Sequence, residues 1–225
     1  MATYTLNVLI DNRVLALHSK DSLCIAKKVN GCYDVVFQGA APIPTGDQQL
    51  LLANNVFQWT EEYRVFLTQS FGNGVMISHS TQPVEITFGQ AAIWADGALQ
   101  PAVTADTTEW DTADGSSADT TFTVESAPIS LHAAVEQSTG GGKFSTIYVD
   151  PDVHMGDTRI ELTPKNEYLL FWKKITTTEA MLAISVSVGH FWKFAPGKTS
   201  KTIRFGFAKP DQPAGPLELP SWYDM

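Results

Sequence analysis

The segment SLCIAKKVNGCYDVVFQG, residues 22–39, carries the clearest structural signal in the chain. Two runs of apolar and β-branched residues flank an Asn-Gly pair, which supplies the two positive φ angles of a type I′ turn. The segment therefore predicts a β-hairpin in which Val29 lies opposite Cys32 and Cys24 lies opposite Phe37. The two thiols are then far apart along the hairpin, so we predict no disulfide, as is usual in a reducing compartment.

Alternation of apolar and polar residues with a period of two dominates the rest of the chain, and long helical periodicity is absent. Residues 4–10, 56–71 and 203–207 show the alternation most clearly. Turn residues separate such runs at the intervals typical of sandwiches and barrels. The pattern predicts an all-β fold, a single antiparallel β-sandwich domain of about a dozen strands that spans residues 1–225.

Two stretches interrupt the alternation. Residues 96–119 are rich in Asp, Thr, Ala and Ser, which predicts a long surface loop. Residues 209–225 contain four prolines and cannot form a central strand, because proline lacks the amide donor that a ladder requires. The strand pattern is the same on both sides of the first stretch, so we expect one domain rather than two.

The charge of the chain limits its partners. Of 225 residues, 24 are acidic and 15 are basic, which gives a formal net charge of −9. Nucleic acids and anionic membranes attract clusters of Lys and Arg, so we expect neither as a partner. The N-terminal residues lack the pattern of a secretory signal, and no apolar run approaches the roughly 20 residues that cross a bilayer. We therefore expect a cytoplasmic protein whose partner is a small-molecule ligand, and leave homo-oligomerisation open.

The segment SVSVGHFWKFAPGKTSK, residues 185–201, ends in Gly-Lys-Thr but does not form a phosphate loop. A Walker motif needs glycine where Trp192 stands, so that backbone amides can surround the phosphates. Counting by twos places His190 and Trp192 on one otherwise apolar face of a strand. Two interpretations stay open: a core histidine that is satisfied by a backbone carbonyl or by Tyr or Trp, or the polar anchor of an apolar ligand pocket.

The pocket interpretation adds the aromatic residues that could stack on a ligand. The candidate ligand-binding residues are His190, Trp192, Trp172, Phe171, Phe191 and Tyr148. The histidines and cysteines lack the spacing of metal ligands, and the acidic groups within 106–119 and 150–157 do not match an EF-hand, so we predict no metal site. No nucleophile motif of the G-x-S-x-G type is present, and we predict a protein without enzymatic activity.

Several strings of the sequence resemble a known group of proteins. They are LCIAKKVNGCYDVVFQG (23–39), FQWTEEYRVFLTQSF (57–71), GVMISHSTQPVEITFGQ (74–90) and IELTPKNEYLLFWKKI (160–175). The chain is similar in these strings to small acidic basidiomycete (mushroom) proteins, and in size, acidity and aromatic content it most resembles the pink chromoproteins of oyster mushrooms. The resemblance implies non-covalent binding of a small organic chromophore, with an indolone as one candidate type. The strings themselves are strands and hairpins and specify no binding residue.

We therefore expect a pigment-binding chromoprotein that holds a small aromatic or conjugated ligand in an apolar cavity. Two alternatives come from other classes of protein. A carbohydrate-binding defence lectin would stack exposed aromatic residues on sugars, and a membrane-active β-sandwich cytolysin would insert them into lipid. Either would use Trp110, Trp222 or Tyr223.

Overall fold

A computed structural model describes residues 2–106, 108, 117–128, 130–153, 158–174, 177–182, 189–210, 212–215 and 217–225. Within these residues the chain forms one helix, α1 (Asn12–Leu15), and 18 strands. The strands are β1 (Thr3–Ile10), β2 (Asp21–Val29), β3 (Gln38–Ala41), β4 (Gln49–Leu50), β5 (Asn54–Thr60), β6 (Tyr63–Thr68), β7 (Val84–Ile86), β8 (Gln90–Ala95), β9 (Ala98–Leu99), β10 (Val103–Thr104), β11 (Phe122–Glu125), β12 (His132–Gly140), β13 (Lys143–Val149), β14 (Arg159–Leu162), β15 (Pro164–Lys174), β16 (His190–Lys193), β17 (Ser200–Gly206) and β18 (Ser221–Asp224). The prediction of an all-β fold is confirmed.

The strands form four sheets with the orders β18-β17-β1-β5, β10-β8-β11-β14, β13-β12-β6-β7 and β16-β15-β2-β3-β4. The pairs β1/β17, β8/β11 and β3/β4 are parallel, so the sheets are mixed. The predicted dozen antiparallel strands are therefore not what the structure shows. Parallel neighbours such as β1 and β17 come from distant parts of the chain, and alternation along the sequence carries no information about such pairing.

One hydrophobic cluster contains side chains from all four sheets, which makes the described chain a single domain. Its centre is an aromatic core group formed by Tyr4, Trp59, Tyr168, Trp192 and Phe194. The indole Nε1 of Trp59 on β5 donates a hydrogen bond of 2.9 Å to Oη of Tyr168 on β15. Because β5 and β15 belong to different sheets, this bond joins the two sheets through the core.

The turn of the 22–39 hairpin is as predicted. Asn30 and Gly31 have φ angles of 48° and 84°, which is the positive-φ pair of a type I′ turn. Val29 and Cys32 form an antiparallel bridge directly beside it. The strongest local signal in the sequence thus fixes the local structure.

Farther from the turn the predicted register is wrong by two residues, because Cys24 lies opposite Gly39 instead of Phe37. The chain after the turn leaves the hairpin ladder, and the amide of Val36 donates to the carbonyl of Ala180 at 3.1 Å. These residues therefore pair with a distant segment before the chain returns to β2 as β3. Both thiols are free, with Cys24 buried and Cys32 exposed.

The alternating run 56–71 forms two strands instead of one. β5 belongs to the sheet that contains β1, whereas β6 belongs to the sheet that contains β12. The chain changes sheet at Glu61 and Glu62, and the inward-facing positions continue across this corner, so Trp59 and Tyr63 both lie in the core. We refer to Glu61 and Glu62 as the β5–β6 corner.

The two stretches that interrupt the alternation contain short strands. β9 and β10 lie within 96–119, and residues 107 and 109–116 of the predicted long loop lie outside the described residues. In the tail, β18 follows the last proline and pairs with β17 at the edge of its sheet. This position agrees with the exclusion of residues 209–225 from central strands.

The hydrogen bond in the aromatic core group predicts a difference between two tyrosine substitutions. Tyr168→Phe leaves the fully buried Trp59 indole without its acceptor, and we expect the free energy of unfolding to fall by about 1–3 kcal/mol. Tyr4→Phe removes a bond to Glu61 in a partly exposed position and should cost less than about 1 kcal/mol. Urea denaturation measures both values, and an equal loss for the two variants would contradict the account.

Candidate functional site

The structure places His190 at the beginning of the edge strand β16, opposite Leu170. Its Nε2 lies 3.2 Å from Oδ1 of Asp224 on β18, and its ring stacks on Trp222 with 5.9 Å between centroids. The imidazole therefore has a carboxylate partner, which neither interpretation from the sequence anticipated. The preceding residues 183–188, on which the predicted long strand depended, lie outside the described residues.

Trp192 and Trp172 pack among other rings of the protein. Trp192 belongs to the aromatic core group, is 5% exposed, and stacks on Tyr168 at 4.7 Å. Trp172 stacks on His18 at 4.1 Å and contacts Phe205 at 5.5 Å. The positions on which a ligand would stack are thus occupied by the protein's own side chains.

The remaining predicted residues lie in other parts of the fold. Phe171 faces a separate small cluster that contains Cys24, and Phe191 is 57% exposed on the outer face of β16. Tyr148 is buried on β13, where burial raises the pKa of its hydroxyl and Asp150 raises it further. The structure brings His190, Trp172 and Trp192 to one face, but it does not gather all the predicted residues around a cavity.

A cavity of about 850 Å³ lies elsewhere, beside the β5–β6 corner, and we call it the corner cavity. Its walls combine apolar and aromatic side chains with three carboxylates and two polar residues. The lining residues are Glu61, Glu62, Tyr63, Val84, Glu85, Ile86, Thr87, Gln90, Leu99, Pro101, Ala102 and Phe144. Two smaller cavities measure about 220 and 420 Å³, and the first shares Phe144 with the corner cavity. None of the three is lined by the residues predicted from the sequence.

Strand pairing explains how the corner cavity forms. Tyr63 begins β6 and lies opposite Ile86 on one side and Gln137 on the other. β7 is only three residues long and β10 only two, so the sheets are incomplete where the chain turns at the corner. Leu99 and Ala102 come from β9 and the segment that follows it, and they add apolar lining.

Lys27 lies behind the Tyr63 wall and is fully buried. Its Nζ donates hydrogen bonds to Oη of Tyr63 at 2.8 Å and to Oε1 of Gln137 at 2.9 Å. The same nitrogen lies 5.0 Å and 5.7 Å from the ring centroids of Tyr63 and Tyr168. Burial lowers the pKa of Lys27 to about 7, against a smaller opposing effect of the Glu61 carboxylate.

The mouth of the corner cavity is acidic. Glu62 and Glu85 are exposed, and Oε1 of Glu61 accepts hydrogen bonds from Asn166 at 2.6 Å and from Tyr4 at 3.1 Å. Within the part of the chain that the structure describes, none of these three carboxylates forms an ion pair. The lining contains no Lys, Arg or His, so the charged groups that line the cavity are all negative.

The sequence contains signals for the buried lysine and for the β5–β6 corner, neither of which was predicted. Leu23, Ile25 and Val29 on β2 face the core, and counting by twos places Lys27 on the same face. Adjacent glutamates interrupt the alternating run 56–71 at the point where the strand ends. The cavity itself requires strands from distant parts of the chain and has no local signature.

Two of the three aromatic residues that a lectin or cytolysin would use, Trp222 and Tyr223, lie on β18. Trp110 lies outside the described residues. Trp222 is partly buried against Phe205 at 4.5 Å, and the ring of Tyr223 lies under Arg204 at 4.5 Å. In the described ranges no group of three or more His, Cys, Asp or Glu side chains could hold a metal ion, and no helix is long and apolar enough to span a bilayer.

Comparisons with protein families, curated proteins and solved structures found no match to this chain. The function is therefore inferred from the geometry of the described residues.

The buried amine of Lys27 predicts a pH dependence of stability. Its folded pKa of about 7 lies below the unfolded value of about 10.4, so above about pH 7 the unfolded chain binds the proton that the folded chain has lost. The free energy of unfolding should therefore rise between about pH 7 and pH 8.5, by at most about 1.4 kcal/mol per pH unit.

Lys27→Met removes this titration and should flatten the rise over the same range. Lys28→Met is the matched control, because Lys28 forms a surface ion pair with Glu167 at 2.7 Å. Urea denaturation at a series of pH values measures the slope. A slope that survives in Lys27→Met would show that other groups cause it.

Proposed function

We propose that this protein binds a small, flat, conjugated organic molecule non-covalently in the corner cavity and has no enzymatic activity. A pigment is the ligand that the resemblance to mushroom chromoproteins implies. The proposal includes a β-sandwich arrangement of the facing sheets, with the cavity at their corner. The corner cavity replaces the His190 face as the proposed site, because the protein's own rings fill that face.

The size and lining of the corner cavity carry the proposal. Cavities that bind small molecules measure about 300–1,000 Å³ and combine apolar walls with a few polar groups. The corner cavity, at about 850 Å³, falls in this range, and Val84, Ile86 and Leu99 supply apolar wall. Such walls favour a ligand that loses apolar surface to water when it binds.

Two rings in the lining favour a conjugated ligand. Tyr63 is held through its hydroxyl by Lys27, and Phe144 lies under the guanidinium of Arg64, with 3.7 Å between Cζ and the ring centroid. Arg64 is itself fixed by Glu136, at 2.7 Å. Tyr63 is 5% exposed and packs on Phe88 and Phe122, so it contributes only a small part of its ring to the lining. Phe144 is partly exposed and already held in place, so it offers aromatic contact at little cost in side-chain entropy.

The absence of enzymatic activity is also a proposal. The described lining contains no Ser, Cys or His that could act as a nucleophile or pair with one. The lining carboxylates and the hydroxyl of Thr87 have no histidine or thiol beside them in the lining. Lys27 is fully buried behind Tyr63 and is not a lining residue. The composition of the lining supports binding better than covalent catalysis.

A pair of tryptophan substitutions tests the proposed site. Ala102→Trp places an indole in the corner cavity, whereas Val103→Trp adds the same side chain at a neighbouring position that is 51% exposed. The probe is the neutral flat dye 2-(4-dimethylaminophenyl)-6-methylbenzothiazole, followed by fluorescence titration. We expect Ala102→Trp to weaken binding at least about tenfold, because the added ring fills the site, and Val103→Trp to bind like the wild type.

Thermal unfolding of both variants verifies that each is folded. Binding that is unchanged in a folded Ala102→Trp variant would contradict the corner cavity as the site. Failure of the wild type to bind both this dye and its cationic analogue, thioflavin T, would contradict the proposed function itself.

A further inference from the structure

The position of the carboxylates at the corner cavity has a structural cause. Glu61 and Glu62 are consecutive at the corner, where the chain changes sheet, and both line the cavity. Glu85 reaches the same mouth from the middle of β7. Three negative charges from two separate elements therefore border a cavity that has apolar walls.

Positive charges near the cavity are engaged elsewhere. Arg64 lies opposite Glu85 in the β6–β7 pair, but its guanidinium bonds to Glu136 on the other neighbouring strand, at 2.7 and 3.0 Å. Lys27 lies behind Tyr63 and donates to neutral acceptors. Since burial lowers the pKa of Lys27 to about 7, its average charge at neutral pH is reduced.

Glu61 is the most restrained of the three carboxylates. It is partly buried, and both of its hydrogen-bond donors, Tyr4 and Asn166, are uncharged groups. These donors orient the carboxylate without neutralising its charge. A positively charged group on a ligand would therefore meet an oriented carboxylate that forms no ion pair in the described part of the chain.

We propose that the molecule bound in the corner cavity is a conjugated organic cation, such as an aromatic iminium or a protonated heterocyclic amine. This inference rests on the proposed function and adds the charge of the ligand. The conjugated part contacts the apolar walls, and the positive part lies toward the mouth that Glu61, Glu62 and Glu85 border. An anionic ligand of the same shape is repelled by these carboxylates.

One physical effect favours the cation. Carboxylates beside apolar walls raise the local concentration of positively charged ligands, because the field is less screened there than on a flat surface. The rings of Tyr63 and Phe144 add no cation–π attraction to this effect, since they already lie under Lys27 and Arg64. The effect does not favour a neutral molecule of the same shape.

The test compares two dyes of nearly identical shape. Thioflavin T is a flat benzothiazolium cation, and 2-(4-dimethylaminophenyl)-6-methylbenzothiazole is its neutral counterpart without the ring N-methyl group. We expect thioflavin T to bind the wild-type protein at least about tenfold more tightly at low salt, and added salt to reduce this preference. Fluorescence titration of both dyes gives the two dissociation constants.

Single charge removals then locate the effect. Glu62→Gln and Glu85→Gln remove exposed carboxylates at the mouth, and each should weaken thioflavin T binding about two- to fivefold without changing the affinity for the neutral dye. Asp152→Asn is the matched control, because it also removes one exposed carboxylate. Asp152 follows the end of β13, whereas Phe144 of the cavity lies near the start of that strand. Glu61 is left intact because its carboxylate bonds to Tyr4 and Asn166.

The outcomes separate this inference from the proposed function. Equal affinity for the two dyes, or equal effects of Glu85→Gln and Asp152→Asn on thioflavin T, would overturn the cationic ligand while the cavity stands as a binding site. If neither dye binds, the proposed function fails and the charge of the ligand fails with it. If the wild type prefers thioflavin T and this preference declines in Glu62→Gln and Glu85→Gln, the result would support both the proposed function and the cationic ligand.

Discussion

The hydrogen bond from the Trp59 indole to the Tyr168 hydroxyl constrains the rest of this fold. Both side chains are fully buried, and an indole N–H without an acceptor in such a place would be costly. The hydrogen bond from Trp59 to Tyr168 holds β5 against β15 across the core, so two sheets meet at a fixed position. β5 then ends where the chain must turn toward another sheet, and the β5–β6 corner follows from that position.

The corner explains why the cavity and the buried lysine occur together. Tyr63, the first residue of β6, lines the cavity, and its hydroxyl accepts a hydrogen bond from Lys27. Both features cost stability, since a cavity forgoes packing contacts and a buried amine loses hydration. Strongly shifted pKa values and preformed cavities concentrate at functional sites, and here they lie on two sides of one tyrosine.

The sequence could predict the local parts of this structure. Alternation identified most strands, and the Asn30-Gly31 pair identified its turn, because both signals depend only on neighbouring residues. The pairing of β1 with β17 and the shift of Cys24 to Gly39 depend on segments that are distant in the chain. His190 was correctly placed on the face of Trp192, but its partner Asp224 comes from the C-terminal strand and could not be predicted.

Methyl NMR during titration with thioflavin T tests most directly whether the ligand occupies the corner cavity. Val84, Ile86 and Leu99 report on the cavity, whereas Leu170, which lies opposite His190, reports on the face that the sequence favoured. The account predicts large shift changes for the three cavity residues and little change for Leu170. Changes at Leu170 with unmoved cavity methyls would contradict it and return attention to the aromatic face around His190.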